Sequence, residues 1–184
     1  MSDHAETLCE RAGAGDLEAA SELVSLYYER IFAWFRRLCG NDDDAADLTQ
    51  RTFFKVWTSL GSFQRRSTLS TWLHGIAHHV YVDWRRSNRP AEAQTDEWWE
   101  TCAANDPSPF EDAAERDLAR RLFALVERLE DGVREVVHLH YYQGLSLSET
   151  SEALGIATST VKYRLREALD VLRSQTNEPK LRAV

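Results

Sequence analysis

Apolar side chains recur every three or four positions along most of this chain, and the polar stretches between them are short until residue 90. Leu17, Ala20, Val24, Tyr27, Ile31, Phe35 and Leu38 form one unbroken stripe, which predicts an amphipathic helix over 16–39. Asp16 suits its N-cap, because a short carboxylate can accept from the first unpaired N–H groups. Gly40 suits its stop. The acidic stretch 41–44 favours the positive end of a helix dipole, so a second helix is predicted from there through Leu48, Phe53, Val56 and Trp57 to Leu60. After a loop over 61–67, a third is predicted from about 68 to 87, with Trp72, Leu73, Ile76, Val80 and Trp84 on its buried side. Trp57, Trp72 and Trp84 all fall on apolar stripes and read as core. Pro90 closes this unit.

Residues 91–112 lose the period and collect acids with Pro107 and Pro109, too polar to bury a core of their own. Helical patterning resumes at Leu118, Leu122, Leu125, Val126 and Leu129, then at Val133, Val136, Val137 and Tyr141. Two short helices follow at about 147–154 and 158–173. No stretch shows strand alternation and no repeat is present. The expected fold class is all-α: two small helical domains, 1–90 and 113–175, joined by an acidic linker over 91–112 and followed by a tail over 176–184.

Charge sharpens this division. The chain of 184 residues has a net charge of −8, which on its face disfavours a nucleic-acid partner. Yet residues 1–90 carry eleven Lys and Arg against twelve Asp and Glu, and residues 118–184 carry ten against nine. The excess of acid lies in 91–117, with one base against nine acids. Both flanks are near neutral with local basic clusters, so total charge does not exclude DNA binding.

Three cysteines, Cys9, Cys39 and Cys102, are too few and too scattered for a disulfide framework or a thiolate metal site. The polar, acidic N-terminus lacks the basic and apolar segments of a secretion signal, and no run approaches the ~18 apolar residues that span a bilayer. The expected setting is a reducing cytoplasm, without membrane insertion. His74 and His78 form an HxxxH pair near His79 and Asp83, but Gly75, Ile76 and Ala77 replace the catalytic pattern of zinc hydrolases. No metal or other cofactor is expected.

The segment LSETSEALGIATSTVKYRL (147–165) reads as helix, glycine turn and second helix. Gly155 stands where the turn needs positive φ, and Leu154, Ile156, Val161 and Leu165 suit a joint core. The second helix opens with Ser159 and Thr160 and offers Lys162, Tyr163, Arg164 and Arg166, side chains able to reach base edges and phosphates in a major groove. Glu167 and Asp170 dilute its charge, so this unit alone should bind DNA weakly. On the second helix of the chain, Asp47, Gln50, Arg51 and Phe54 share one polar-aromatic face, separate from Phe53, Val56 and Leu60. An exposed Phe in a polar stripe suits a protein contact. The loop FQRRS (63–67) combines an aromatic with arginines, as a single-stranded DNA platform requires.

These blocks carry a family resemblance over roughly 15–174. DLTQRTFFKVW (47–57) resembles the region-2.2 helix of sigma-70 family factors, which implies docking on the clamp of core RNA polymerase through Asp47, Gln50, Arg51 and Phe54. STLSTWLHGIA (67–77) with DWRR (83–86) is similar to the segments that capture the promoter −10 element. That implies Phe63, Ser67 and His79 near an extruded base, with Arg65, Arg66, Arg85, Arg86 and Arg89 toward the DNA backbone. REVVHLHYYQGLS (134–146), leading into the helix-turn-helix, resembles region 4. It implies −35 recognition by Ser159, Thr160, Lys162, Tyr163, Arg164 and Arg166, and contact with the polymerase flap.

Order and spacing match the short extracytoplasmic-function (ECF) type. The resemblance further implies no enzymatic activity, a monomer when free, an anti-sigma partner, and a linker that threads the polymerase cleft with Trp98 and Trp99 as anchors. His79 stands where the family often has Asn, and Thr150 and Ser151 where Ile-Ala is usual, so promoter sequence does not carry over. A conventional regulator that uses the same helix-turn-helix as a dimer on duplex DNA is the competing expectation.

Overall fold

A computed structural model describes residues 2–87 and 121–175, and among the described residues every regular element is helical. In chain order these are α1 (Ser2–Gly13), α2 (Leu17–Cys39), α3 (Asp42–Ser59), a 3₁₀ turn (Leu60–Ser62) and α4 (Leu69–Ser87). Then come a helical segment, α5 (121–127), followed by α6 (Asp131–Val137), a π-helical turn (His138–Tyr142), α7 (Leu147–Leu154) and α8 (Thr158–Gln175). No helix among the described residues is long and apolar enough to cross a membrane.

Local chemistry sets the boundaries. The Asp16 carboxylate accepts from the N–H groups of Glu18 and Ala19 at 3.0 and 3.1 Å, capping α2. Gly40 ends it at φ 75°. Asn41 caps α3 by accepting from Asp44 N–H at 2.8 Å, and three aspartates occupy the first turn. Thr68 does the same for α4, its hydroxyl accepting from Thr71 N–H at 3.2 Å.

The stripe read on α2 buries Ala20, Tyr27, Ile31, Phe35 and Leu38, joined by Trp34, which stacks on Phe35 at 5.3 Å between centroids. Leu17 is instead 75% exposed, because it opens the helix before a neighbour covers that face. Trp57, expected in the core, is also exposed. Val56 and Leu60 point inward, and Trp57 lies about 100° further round the helix from Val56. Tyr141 is likewise exposed. Residues 1–15 were expected only as a polar terminus, yet Ala5, Leu8, Cys9 and Ala12 of α1 are buried against the first half. The linker, with Trp98 and Trp99, together with Arg89, Cys102 and the tail, lies outside the described residues.

Candidate nucleic-acid interface

α3 faces two ways. Leu48, Thr49, Thr52 and Val56 point into the core, and the two threonines return their hydroxyls to the Ala45 and Leu48 carbonyls at 2.7 and 2.8 Å, so no polar group is left bare there. On the other side Asp47, Gln50, Arg51 and Phe54 form one ridge, as their spacing predicts. Asp47 and Arg51 pair at 2.7 Å, and Phe54 stands 68% exposed beside them. Gln50, Arg51, Phe54 and Lys55 of α3, with Val80 and Asp83 of α4, line an open cavity of about 390 Å³. Lys55 and Asp83 bridge its rim at 3.6 Å.

The loop after α3 is held from two directions. Phe63 is half-buried with its ring 5.0 Å from that of Trp72. Arg65 has φ +53°, the one positive φ outside glycine among the described residues, and its guanidinium meets the Glu10 carboxylate of α1. Arg66 is exposed and Ser67 half-buried. His79 is exposed on α4, and its Nδ1 donates to the Gly75 carbonyl at 2.7 Å, which leaves Nε2 as the outward nitrogen. Lys55, Thr58, Ser59, Ile76 and His79 surround a second cavity of about 360 Å³. Phe63 does not line this cavity. Phe63 lies over Trp72, two helical turns before His79. Lys55 and Thr58, which the sequence reading did not single out, line the cavity beside His79. Their i, i+3 spacing on α3 is the signal that could have found them.

His74 is fully buried against Trp34, at 5.9 Å between ring centroids, and its Nδ1 donates to the Ser70 carbonyl at 2.7 Å. Burial holds its imidazole down at about 4. Among the described residues no group of three His, Cys, Asp or Glu side chains could hold a metal. Among the described residues Cys9 and Cys39 form no disulfide, and burial pushes Cys39 up to about 12.

At the C-terminal end of α4, Arg86 is exposed, whereas Arg85 turns toward α6, 3.1 Å from Asp131 and 3.5 Å from Glu135. Glu135 is buried, which pushes its carboxyl up to about 6 despite the nearby Arg85. His78 lies 3.6 Å from the same carboxylate. Burial, followed by the neighbouring His79, Arg85 and Arg164, holds His78 down at about 4.

The helix-turn-helix forms as its spacing predicts. Ser146 and Glu149 make a reciprocal capping box at the start of α7, with N–H to oxygen distances of 3.2 and 2.9 Å. Gly155 takes φ 64°, and the turn is tied by Thr158 Oγ1 donating to Ser151 Oγ at 3.1 Å. Val161, Leu165 and Ala168 of α8 are buried, and Ile156 packs beside them. Ser159, Lys162, Tyr163 and Arg166 point outward, with Tyr163 64% exposed. Thr160 is half-buried. Arg164, also half-buried, packs on α6 so closely that a Cβ on Gly132 would sit 2.9 Å from its guanidinium carbon.

Comparison with known proteins finds two matched regions in this chain. Sigma-70 region 2 matches residues 23–90, and Sigma-70, region 4 matches residues 119–172. The ECF RNA polymerase sigma factor SigX of Bacillus subtilis is 30% identical over 82% of this chain and 80% of its own length. SigW of the same organism is 29% identical over 89% of this chain and 92% of its own. SigE of Mycolicibacterium smegmatis is 33% identical over 83% of this chain and 59% of its own.

The fold is shared with CnrH in complex with the cytosolic domain of CnrY, at 24% identity and a TM-score of 0.68, covering 93% of this chain and 96% of that one. It is also shared with RpoE in complex with the anti-sigma factor NepR from Bartonella quintana, at 23% and 0.63, covering 84% and 94%. Both regions occur here in order on one chain, where a conventional dimeric regulator would need the second alone. The chain belongs to the extracytoplasmic-function sigma factors of RNA polymerase, and it is a transcription initiation factor.

Proposed function

We propose that the first half docks on core RNA polymerase through Asp47, Gln50, Arg51 and Phe54 and holds the opened −10 element, while α8 reads the −35 duplex. The observation that carries this reading is the division of labour on α3. Phe54 supplies an exposed apolar anchor with charged neighbours, and Lys55 and Thr58, on the next faces, line the cavity at His79. One rigid helix thus carries a protein anchor and one wall of a base-sized cavity, so docking fixes the position of the cavity relative to the polymerase.

The chemistry of each part follows. A base leaving the −10 duplex loses stacking worth a few kcal/mol, which an enclosing pocket must replace. The Phe63–Trp72 pair offers an aromatic platform at the loop, and its half-burial keeps the ring from collapsing into the core. His79, with Nδ1 committed to Gly75, presents Nε2 as an acceptor when neutral. Lys55 can meet a phosphate, and Arg65, Arg66 and Arg86 continue that track. On the −35 side, Lys162, Tyr163 and Arg166 form the reading face, with Ser159 and Thr160 at the helix start as phosphate contacts. An anti-sigma protein that covers these surfaces is the expected regulator. The domain limits 1–90 and 113–175 belong to the same reading.

The test is reconstitution. Purified chain mixed with bacterial core polymerase should produce transcripts from a genomic template that core enzyme alone does not make, and mapped start sites should share upstream motifs. Core enzyme that gains no new start site would refute the reading.

A further inference from the structure

Helix α1 lies outside the stretch matched to region 2, which begins at residue 23, yet it is built into the first half of the chain. Its Ala5, Leu8, Cys9 and Ala12 are buried. Polar ties join both of its ends to α2. His4 Nε2 lies 3.0 Å from the Glu22 carboxylate, and Arg11 lies 2.6 Å from Asp16, the residue that caps α2. Gly13, the last residue of α1, approaches the turn after α3: a Cβ there would stand 3.9 Å from the Cβ of the buried Leu60. Glu10, three residues earlier and so on the same face, meets the Arg65 guanidinium. The end of α1 thus touches both the start and the middle of the loop that joins α3 to α4.

That loop has a demanding conformation. Arg65 takes φ +53°, and a residue with a Cβ reaches this left-handed region only against steric resistance. Such a conformation persists where its surroundings over-determine it. Upstream, Ser62 Oγ donates to the Ser59 carbonyl at 2.7 Å, Phe63 N–H donates to the Leu60 carbonyl at 3.1 Å, and the Phe63 ring leans on Trp72. Downstream, Thr68 caps α4. Arg65 stands between these anchors, and its tie is to α1. Burial pushes the Cys9 thiol up and the Arg65 charge draws it partly back, so the cation is felt inside α1 as well as at Glu10.

We propose that α1 braces the −10 loop and that Glu10 is a positioning residue, holding Arg65 in its left-handed conformation so that the loop meets the opened strand already ordered. This deepens the functional reading above and rests on it. The Arg65 and Glu10 side chains are 48% and 62% exposed, so the pair adds little to global stability and acts on geometry. A guanidinium has five N–H donors in all, so Arg65 can meet a phosphate while Glu10 holds one of its nitrogens. The pairing weakens the pull of Arg65 on DNA but fixes where that pull acts. It also sets the direction of Arg66 and Ser67, the next residues in the chain. Order present before DNA arrives does not have to be created during binding.

Glu10→Lys sets two expectations against each other. If charge alone matters, replacing an acid by a base beside the DNA path should tighten DNA binding. If Glu10 positions Arg65, the two cations repel, the loop is released and capture of DNA weakens. Arg65→Gly supplies the second arm, because glycine takes positive φ without a partner. On the full chain, trypsin cleavage after Arg66 should be about fivefold faster in Glu10→Lys than in wild type, the scale of one coupled contact. Adding Glu10→Lys to Arg65→Gly should bring no further acceleration. With core polymerase and a bubble template carrying a start site mapped in the reconstitution, Glu10→Lys should capture the opened strand about fivefold more weakly, and should not weaken it in the Arg65→Gly background. Urea midpoints should stay near that of the wild type.

Equal trypsin cleavage in Glu10→Lys and wild type would show that α1 does not hold the loop. Faster cleavage with capture unchanged or tighter would reduce Glu10 to a plain charge and overturn its positioning role. A Glu10→Lys chain that unfolds at a clearly lower urea concentration would overturn it as well, because the effect would then run through stability. If core polymerase gains no start site from the wild-type chain, the functional reading falls, while the trypsin comparison still decides whether α1 braces the loop.

Discussion

Replacing Phe54 with alanine separates docking from folding. A phenylalanine side chain buries 150–250 Å² when fully covered, and Phe54 is 68% exposed, so about 130 Å² remains for a partner. At ~25 cal/mol per Å² that area is worth about 3 kcal/mol. Immobilising the ring takes back roughly 0.5–1.5 kcal/mol. A net loss of about 2 kcal/mol corresponds to roughly thirtyfold weaker binding to core polymerase. Little stability should go with it, because only the remaining third of the residue is covered in the free chain.

The neighbouring Phe53 is the control. It is half-buried, stacks on Tyr28 at 6.2 Å and packs on the core, so its truncation should cost up to ~3 kcal/mol of stability. The assay is competition of each variant against labelled wild-type chain for core enzyme, beside urea unfolding of each. A Phe54→Ala chain that competes within threefold of wild type would show that the ridge is not the docking anchor. A Phe54→Ala chain as destabilised as Phe53→Ala would show that the division of faces on α3 is wrong.

Lys162→Ala should weaken duplex binding to a similar degree whatever the sequence and lower the salt slope by about one, read by titration at several salt concentrations; an unchanged slope would remove Lys162 from the phosphate contacts. The His74 imidazole is held at about 4 against an ordinary 6.5, so the unfolded chain takes a proton that the folded chain refuses, and stability present above pH 6.5 is lost as pH falls toward 4. From pH 7 to pH 5 this one site should cost about 2 kcal/mol, and His74→Gln should lose that much less over the same interval in urea melts. Equal losses in the two proteins would refute it.

Much of this molecule is legible in its sequence because each helix carries both a stripe and a stop. Asp16, Asn41, Ser146, Gly40 and Gly155 mark ends that the backbone then obeys. α1 was missed because its buried stripe is Ala5, Leu8, Cys9 and Ala12, where three small side chains give little apolar signal among acids. Glu10, the partner of Arg65, was lost with it. Trp57 was misplaced because an apolar neighbour of Val56 reads as core until the helix is rotated into place. The ridge at 47, 50, 51 and 54 was readable because it depends only on helix geometry. The partners of Arg85 were not, because they depend on how two domains meet, and an acid 46 or 50 residues away looks like any solvated charge.

Those pairings bear on why the chain should depend on polymerase for DNA affinity. Arg51 is matched by Asp47, Lys55 by Asp83, Arg65 by Glu10, and Arg85 by Asp131 and Glu135. A free lysine or arginine that meets a phosphate gains the contact and releases a counterion. A side chain already held by a carboxylate only exchanges one acceptor for another and leaves an acid near the DNA. Exposed pairs are individually weak, so the exchange is not prohibitive, but each such contact contributes less than its charge suggests. The exposed Lys162 and Arg166 on α8 have no carboxylate partner among the described residues, yet two bases on the proposed reading face are a small footprint for duplex binding. Affinity must then come from a surface that this pairing does not discount, and the exposed apolar ring of Phe54 is such a surface.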